Sequence, residues 1–313
     1  MKYTIKDIAQ LCQVGKSTVS RVLNDDPNVN PATRERIQAV IKSLNFQPNR
    51  SARAMRGSRE PVVGIIITRL NSAAESQTLS AILPALYRQQ ITPIIVESQF
   101  QPELVSRHFK LFRERQVNGV ILFGFSQLSH AVLNEWQHHL VTVARPYPNI
   151  SAVFYDDAHA VKLIMQRFYQ QGYREIAYLG VNDDDETTGK LRNQSYLQFC
   201  EQHHLSPNLV KTPLGADNAY RNAPQLFRQP VSAIVCASSS LTIGCLKYLQ
   251  ETQQNRPLAT IGRNELLDYL IPDLISLDFG YQQAGKWAVK LLLKQLQGDA
   301  EIEQRKVPLA LLD

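Results

Sequence analysis

The chain has 313 residues, of which 44% are hydrophobic and 20% charged, and a net charge of +6. That length suits about two domains with a sizeable core, and the composition excludes a disordered chain. Its apolar runs stop short of the ~20 residues a membrane helix needs, and the first residues lack a hydrophobic signal core, so a cytoplasmic protein without membrane contact is expected.

Residues 1–60 carry 11 Lys/Arg against 5 Asp/Glu, whereas residues 61–313 carry 23 of each. The whole excess charge therefore lies in the first fifth, as expected when a small module binds a polyanion. Thr4 and Asp7 read as a capping box, and Ile5, Ile8, Ala9 and Cys12 recur at helical spacing. Gln13-Val14-Gly15 breaks that helix, with Gly15 expected to supply the turn conformation. A second helix from Lys16 to about Leu23 turns Val19, Val22 and Leu23 inward and Lys16, Ser17, Ser20 and Arg21 outward. Asn30-Pro31 caps a third helix to about Leu44, with Ile37, Val40, Ile41 and Leu44 buried. Two short helices, a tight turn and a supporting helix make helix-turn-helix geometry, whose second helix enters the major groove.

Residues 49–57 read as a marginal helix that can order on DNA. Arg50, Arg53 and Arg56 fall on one side to meet phosphates, and Ala52 and Met55 form an apolar spot suited to a minor-groove wedge.

From residue 61 short apolar runs alternate with helical stretches. Residues 62–68, 93–98, 120–123, 140–144, 152–155, 176–180, 209–212, 233–237, 258–261 and 275–277 read as buried strands. Segments such as 158–171 and 241–250 show helical periodicity between them. This alternation predicts parallel sheets covered on both faces, divided into two lobes. No dinucleotide fingerprint and no nucleophile elbow follows any strand. The pairs His138-His139 and His203-His204 point apart on a helix and suit no single metal, and residues 183–186 read as a solvated loop. The cysteines Cys12, Cys200, Cys236 and Cys245 contain no C-x-x-C pair and read as reduced thiols.

Ligands of open α/β sheets lie outside the carboxyl ends of the strands. The polar residues collected there are Arg69, Gly124, Arg145, Asp185 to Gly189, Arg192, Ser239, Ser240 and Tyr281. Arginines converging on one cleft suit phosphate, and hydroxyls and carboxylates beside them suit a polyol; together they point to a sugar phosphate.

Residues 4–9 (TIKDIA) and 14–24 (VGKSTVSRVLN) closely resemble the lactose-repressor/galactose-repressor (LacI/GalR) family, and residues 173–180 (YREIAYLG) resemble its effector domain. The resemblance implies a small all-α helix-turn-helix head and an α/β periplasmic-binding-protein-like domain of two doubly wound parallel-sheet lobes. It divides the chain into a head (1–46), a hinge helix and linker (47–60) and an effector and dimerisation domain (61–313). The first lobe would comprise about 61–156 and 279–298, and the second about 157–278 and 299–313. It makes Lys16, Ser17 and Arg21 base readers, with Thr4, Thr18, Ser20, Asn24, Asn49 and Arg50 at phosphates or supporting the turn. Met55 matches the family's intercalating leucine, and Ala52 would pack on its two-fold mate over a palindromic operator. A homodimer is expected, since no leucine heptads that could tetramerise the chain precede residue 313.

Three departures stand out. Gly15 stands where the family usually has a serine, Ser239 where a sugar-binding aspartate is usual, and Arg263-Asn264 where Phe-Asp is common. Loss of a pocket carboxylate makes an anionic ligand more tolerable. Residues 50–57 (RSARAMRG), 97–100 (ESQF) and 187–190 (TTGK) resemble one branch of the family. They imply a repressor that leaves its operator on binding trehalose 6-phosphate, with no cofactor, no metal and no catalytic residue. The implied pocket comprises Arg69, Leu70, Asn71, Ser72, Ala73, Ala74, Glu75, Gly124, Arg145, Asp185, Glu186, Thr187, Thr188, Arg192, Ser240 and Tyr281. A regulator sensing another sugar, and a sugar-phosphate enzyme carrying a DNA-binding module, are the rival readings.

Overall fold

Local signals in the first forty residues translate directly into three helices. The computed structural model describes residues 4–23, 26–44, 60–299 and 301–312, and the chain divides into two units, residues 1–60 and 61–313. In the first unit, α1 (Ile5–Leu11) starts in a reciprocal capping box: the Thr4 amide donates to Asp7 Oδ2 at 2.7 Å and the Asp7 amide to Thr4 Oγ1 at 3.4 Å. The Thr4 hydroxyl and amide, both donating to Asp7 Oδ2, hold the Asp7 carboxyl below its usual range. Helices α2 (Lys16–Leu23) and α3 (Pro31–Ser43) follow, the latter capped by Asn30, whose Oδ1 accepts from the Ala32 amide at 3.0 Å. Ile8, Ala9, Cys12, Val19, Val22, Val29 and Ile37 form the small core.

Two details differ from expectation. The left-handed residue of the turn is Gln13, at φ 51°, while Gly15 has negative φ and simply precedes α2. Ser20 is buried rather than outward. It lies about 100° round the helix from Val19, and that places it at the border of the apolar stripe.

The second unit contains two six-stranded sheets of matching order, β11-β5-β4-β3-β1-β2 and β12-β10-β9-β8-β6-β7. The first comprises β1 (Val62–Ile67), β2 (Thr92–Glu97), β3 (Gly119–Phe123), β4 (Leu140–Ala144), β5 (Ser151–Phe154) and β11 (Gln304–Lys306). The second comprises β6 (Ile176–Val181), β7 (Asn208–Thr212), β8 (Ala233–Cys236), β9 (Leu258–Ile261), β10 (Ile275–Asp278) and β12 (Ala310–Leu312). All pairings are parallel except β10 with β12. All ten apolar runs read from the sequence are strands.

Strand alternation distributes the first core to both faces of its sheet, as a doubly covered sheet requires. Val63, Ile65 and Ile67 pack with Ile82 and Leu86 of helix Ala73–Arg88 and with Ala284, Ala288 and Leu292 of helix Tyr281–Leu296. Ile66, Val120 and Leu122 pack on the other face with Phe109 and Phe112 of helix Pro102–Glu114. Gly64 is required there, since a Cβ would lie 2.3 Å from the Phe112 ring. The second lobe forms one large core around Tyr178, Val235, Ala259 and Leu277.

The chain passes between the lobes three times, near 155–156, 279–280 and 307–309. The resemblance places residues 299–313 wholly in the second lobe, but Gln304–Lys306 pairs with β5 of the first sheet and only Ala310–Leu312 joins the second. Strands of three residues bury too little apolar surface to show a pattern in sequence. Among the described residues no helix is long and apolar enough to cross a membrane.

Candidate functional site

The head presents the side chains that the sequence assigns to DNA. Thr4, Lys16, Ser17 and Arg21 are exposed and Thr18 is half-buried on α2, whereas Ser20 is buried. Arg21 Nε lies 3.7 Å from Asp26 Oδ2, an exposed pair that leaves the guanidinium able to turn outward. Asn24, Asn49, Arg50, Ala52 and Met55 lie outside the described residues.

In the second unit a cavity of about 360 Å³ lies at the carboxyl ends of both sheets, where the doubly wound topology places it. Thirteen of the sixteen residues expected there line it: Arg69, Asn71, Ser72, Ala73, Ala74, Glu75, Gly124, Asp185, Thr187, Thr188, Arg192, Ser240 and Tyr281. Three do not. The Leu70 side chain points outward, 67% exposed, while its amide donates to Glu97 Oε1 at 2.9 Å. Arg145 turns onto the Phe125 carbonyl, Nη1 to oxygen 3.1 Å, and lies against the Tyr147 ring. Glu186 contributes its amide to a contact across the cleft, donating to Ser126 Oγ at 2.7 Å. Gln77 Nε2 to the Arg263 carbonyl, at 2.9 Å, and Gln127 Nε2 to the Asp184 carbonyl, at 3.2 Å, are further bonds between the lobes.

The two lining arginines differ in what they can offer a ligand. Arg192 is buried and ion-paired. Its Nη2 lies 2.6 Å and its Nε 2.8 Å from Asp157 Oδ1, its Nη1 donates to the Ala237 carbonyl, and its guanidinium sits 4.9 Å from the Phe279 ring centre. Burial pushes the Asp157 carboxyl up, against the pull of Arg192. Arg69 makes no ion pair among the described residues, its Nε is buried without a hydrogen-bond partner, and its guanidinium rests 5.5 Å from the Phe100 ring centre.

The carboxylates are likewise committed. Glu75 accepts from the Thr68 amide at 2.7 Å and from the Thr68 hydroxyl, and burial raises its carboxyl above the usual range. Asp185 caps the π-helical turn Glu186–Leu191, with Oδ1 accepting from the Thr188 amide at 2.8 Å. An anion entering the cleft therefore meets one uncommitted guanidinium and hydroxyls from Ser72, Thr187, Thr188, Ser239 and Ser240.

Sequence reasoning missed Thr68, Thr78, Phe100, Phe125, Tyr155, Asp157, Leu214 to Ala216, Ser238, Ile243, Ile261 and Asn264 of this lining. Tyr155 and Asp157 flank the first crossing between lobes; the strand-end rule applied to residues 152–155 would have reached Asp157. Tyr155 packs on Phe279 and Tyr281, ring centres 5.2 and 5.5 Å apart, which builds an aromatic floor from two crossing segments. Among the described residues no three His, Cys, Asp or Glu side chains gather to hold a metal.

A basic helix-turn-helix head and a two-lobed α/β unit with a polar cleft define a DNA-binding transcription regulator. Residues 4–49 match the model of bacterial regulatory proteins of the lacI family, and residues 165–312 match the periplasmic binding protein-like domain. The chain is 44% identical over 311 residues to the HTH-type transcriptional regulator TreR of Escherichia coli K12, covering 99% of each chain. It is 42% identical to the regulator of the same name from Salmonella typhimurium LT2, covering 98% of each. The chain belongs to the LacI family, and its relatives are transcriptional regulators rather than enzymes. Among solved structures, the trehalose repressor from Escherichia coli superimposes with a TM-score of 0.79 at 40% identity, covering 81% of this chain and all of that one. A lac repressor dimer bound to operator and an anti-inducer shares the fold, with a TM-score of 0.84 at 20% identity over 100% of this chain and 98% of that one.

Proposed function

We propose that this chain is the repressor of genes for trehalose uptake and utilisation, released from a palindromic operator when trehalose 6-phosphate occupies the cleft. The observation that carries the reading is Arg69, a guanidinium in a hydroxyl-lined cleft that makes no ion pair among the described residues. Such a group favours a phosphorylated ligand over a neutral sugar. The solved trehalose repressor from Escherichia coli, 40% identical to this chain, supports trehalose as the sugar. In this reading Lys16, Ser17 and Arg21 read base edges, Thr4 and Thr18 position the head, and residues 47–60 form the hinge. A homodimer in the cytoplasm is the working form. It is supported by helix Glu265–Leu270, whose Leu266, Tyr269 and Leu270 are exposed and offer an apolar face to a second copy. The effector induces only by favouring the conformation that does not bind operator.

Thermal unfolding with trehalose 6-phosphate, trehalose, glucose 6-phosphate and inorganic phosphate tests the effector. A ligand at a hundred times its Kd adds about 2.7 kcal/mol, a rise of several degrees. Selective stabilisation by trehalose 6-phosphate, together with release of operator DNA, is expected. Equal or absent shifts with all four would refute the assignment.

A further inference from the structure

Arg69 and Arg145 follow different strands, β1 and β4, and neither makes an ion pair among the described residues. Aromatic groups hold both. The Arg69 guanidinium carbon lies 5.5 Å from the Phe100 ring centre, and that of Arg145 lies 5.3 Å from Tyr147. Phe100 meets Phe125 edge-on, centres 5.9 Å apart at 86°. The Phe125 carbonyl in turn accepts from Arg145 Nη1 at 3.1 Å and from the Tyr147 hydroxyl at 2.9 Å. One continuous chain of contacts thus links the two cations.

The backbone around this chain is strained. Gln99 and Phe100 have φ of 51° and 58°, and Ala144, immediately before Arg145, has φ of 72°. Bulky residues resist that region, and it persists where surrounding contacts over-determine it, commonly at ligand sites. Those contacts are present. The Ser98 amide and hydroxyl donate to the Ile67 carbonyl at 2.8 and 3.1 Å, and the Gln99 amide donates to the Thr68 carbonyl at 3.0 Å. The Leu70 amide donates back to Glu97 Oε1 at 2.9 Å. The loop bearing Phe100 is therefore fastened to the same strand end that carries Arg69.

An aromatic ring restrains a guanidinium without neutralising it, so its donor edge stays available to an oxyanion. Asp157 does the opposite to Arg192. We propose that Phe100 sets the preference of the cleft for a phosphorylated over an unphosphorylated sugar, by clamping the Arg69 guanidinium in the cleft. Phe100 is a positioning residue, and this inference rests on the sugar-phosphate reading above.

Calorimetric titration of the full chain with trehalose 6-phosphate and with trehalose tests it, using Phe100→Leu, Phe100→Tyr and Phe100→Leu on an Arg69→Ala background. Loss of a half-buried cation–π contact should weaken trehalose 6-phosphate binding by about five-fold in Phe100→Leu, with trehalose changed less than about two-fold. Phe100→Tyr should keep the preference, and Phe100→Leu should have no further effect once Arg69 is alanine. A wild-type protein that prefers trehalose 6-phosphate and keeps that preference in Phe100→Leu would overturn the clamp alone. Equal wild-type affinity for both ligands would overturn the sugar-phosphate reading and the clamp with it.

Discussion

Replacing Asp157 with alanine strands a buried cation. Asp157 and Arg192 are 5% and 6% exposed, so neither charge can recover its hydration by a small movement. Removing one partner of such a pair costs about 3–5 kcal/mol, because the other charge stays buried and uncompensated. The Ala237 carbonyl and the Phe279 ring still hold Arg192, which places the loss near the lower end, about 3 kcal/mol. For a unit of this size that corresponds to a fall in Tm of ~10 °C.

The reciprocal variant behaves differently. In Arg192→Met the lone Asp157 can escape by taking up a proton, which burial already favours. Its folded pKa then lies further above the unfolded value, so stability should fall as pH rises through that raised pKa. Thermal and denaturant unfolding of both single variants and the double variant measure the cycle. The double variant should recover about 2 kcal/mol relative to the sum of the singles. A loss below about 1 kcal/mol in Asp157→Ala, or strict additivity, would refute a coupled buried pair.

Other consequences follow from single contacts. Burial raises the Glu75 pKa from 4.5, so the folded state holds this proton more tightly than the unfolded chain. Its contribution is greatest at low pH and falls as pH rises through the raised value; Glu75→Gln should flatten that part of the stability–pH curve. Gly64→Ala should cost about 1–3 kcal/mol by overpacking against Phe112, and Phe112→Leu should restore part of it in chemical denaturation. Gly15→Ser should raise the stability of the head by a few tenths of a kcal/mol in thermal unfolding, since its Cβ would meet nothing nearer than Ser17 Oγ at 3.4 Å and its hydroxyl can cap α2.

The head was legible because its signals are local: caps, proline at the start of α3 and apolar spacing within each helix. Ser20 was misread because a stripe border depends on what packs against it. In the second unit the apolar runs marked ten strands, and the strand-end rule then gathered polar residues scattered along the sequence into one cleft. Arg145 and Glu186 also stand at strand ends, but the Arg145 side chain meets a carbonyl and the Glu186 amide a hydroxyl that only the folded protein brings near. The Asp157–Arg192 pair joins residues no local pattern connects. Phe100 reads as an ordinary core aromatic until its φ and its neighbour Arg69 are known.

The three passages between lobes bear on biosynthesis. The face of the first sheet that carries Ile65 and Val63 is covered in part by helix Tyr281–Leu296, and its outer strand is Gln304–Lys306. A ribosome that has completed β5 must still make the whole second lobe before those pieces exist, a delay of roughly ten to thirty seconds at ordinary elongation rates. Throughout that interval the nascent chain carries an unfinished apolar sheet. Premature termination between residues 154 and 304 leaves both lobes incomplete, so such fragments of this regulator are natural clients of chaperones and proteases, and the lobes cannot be separated by a single cut.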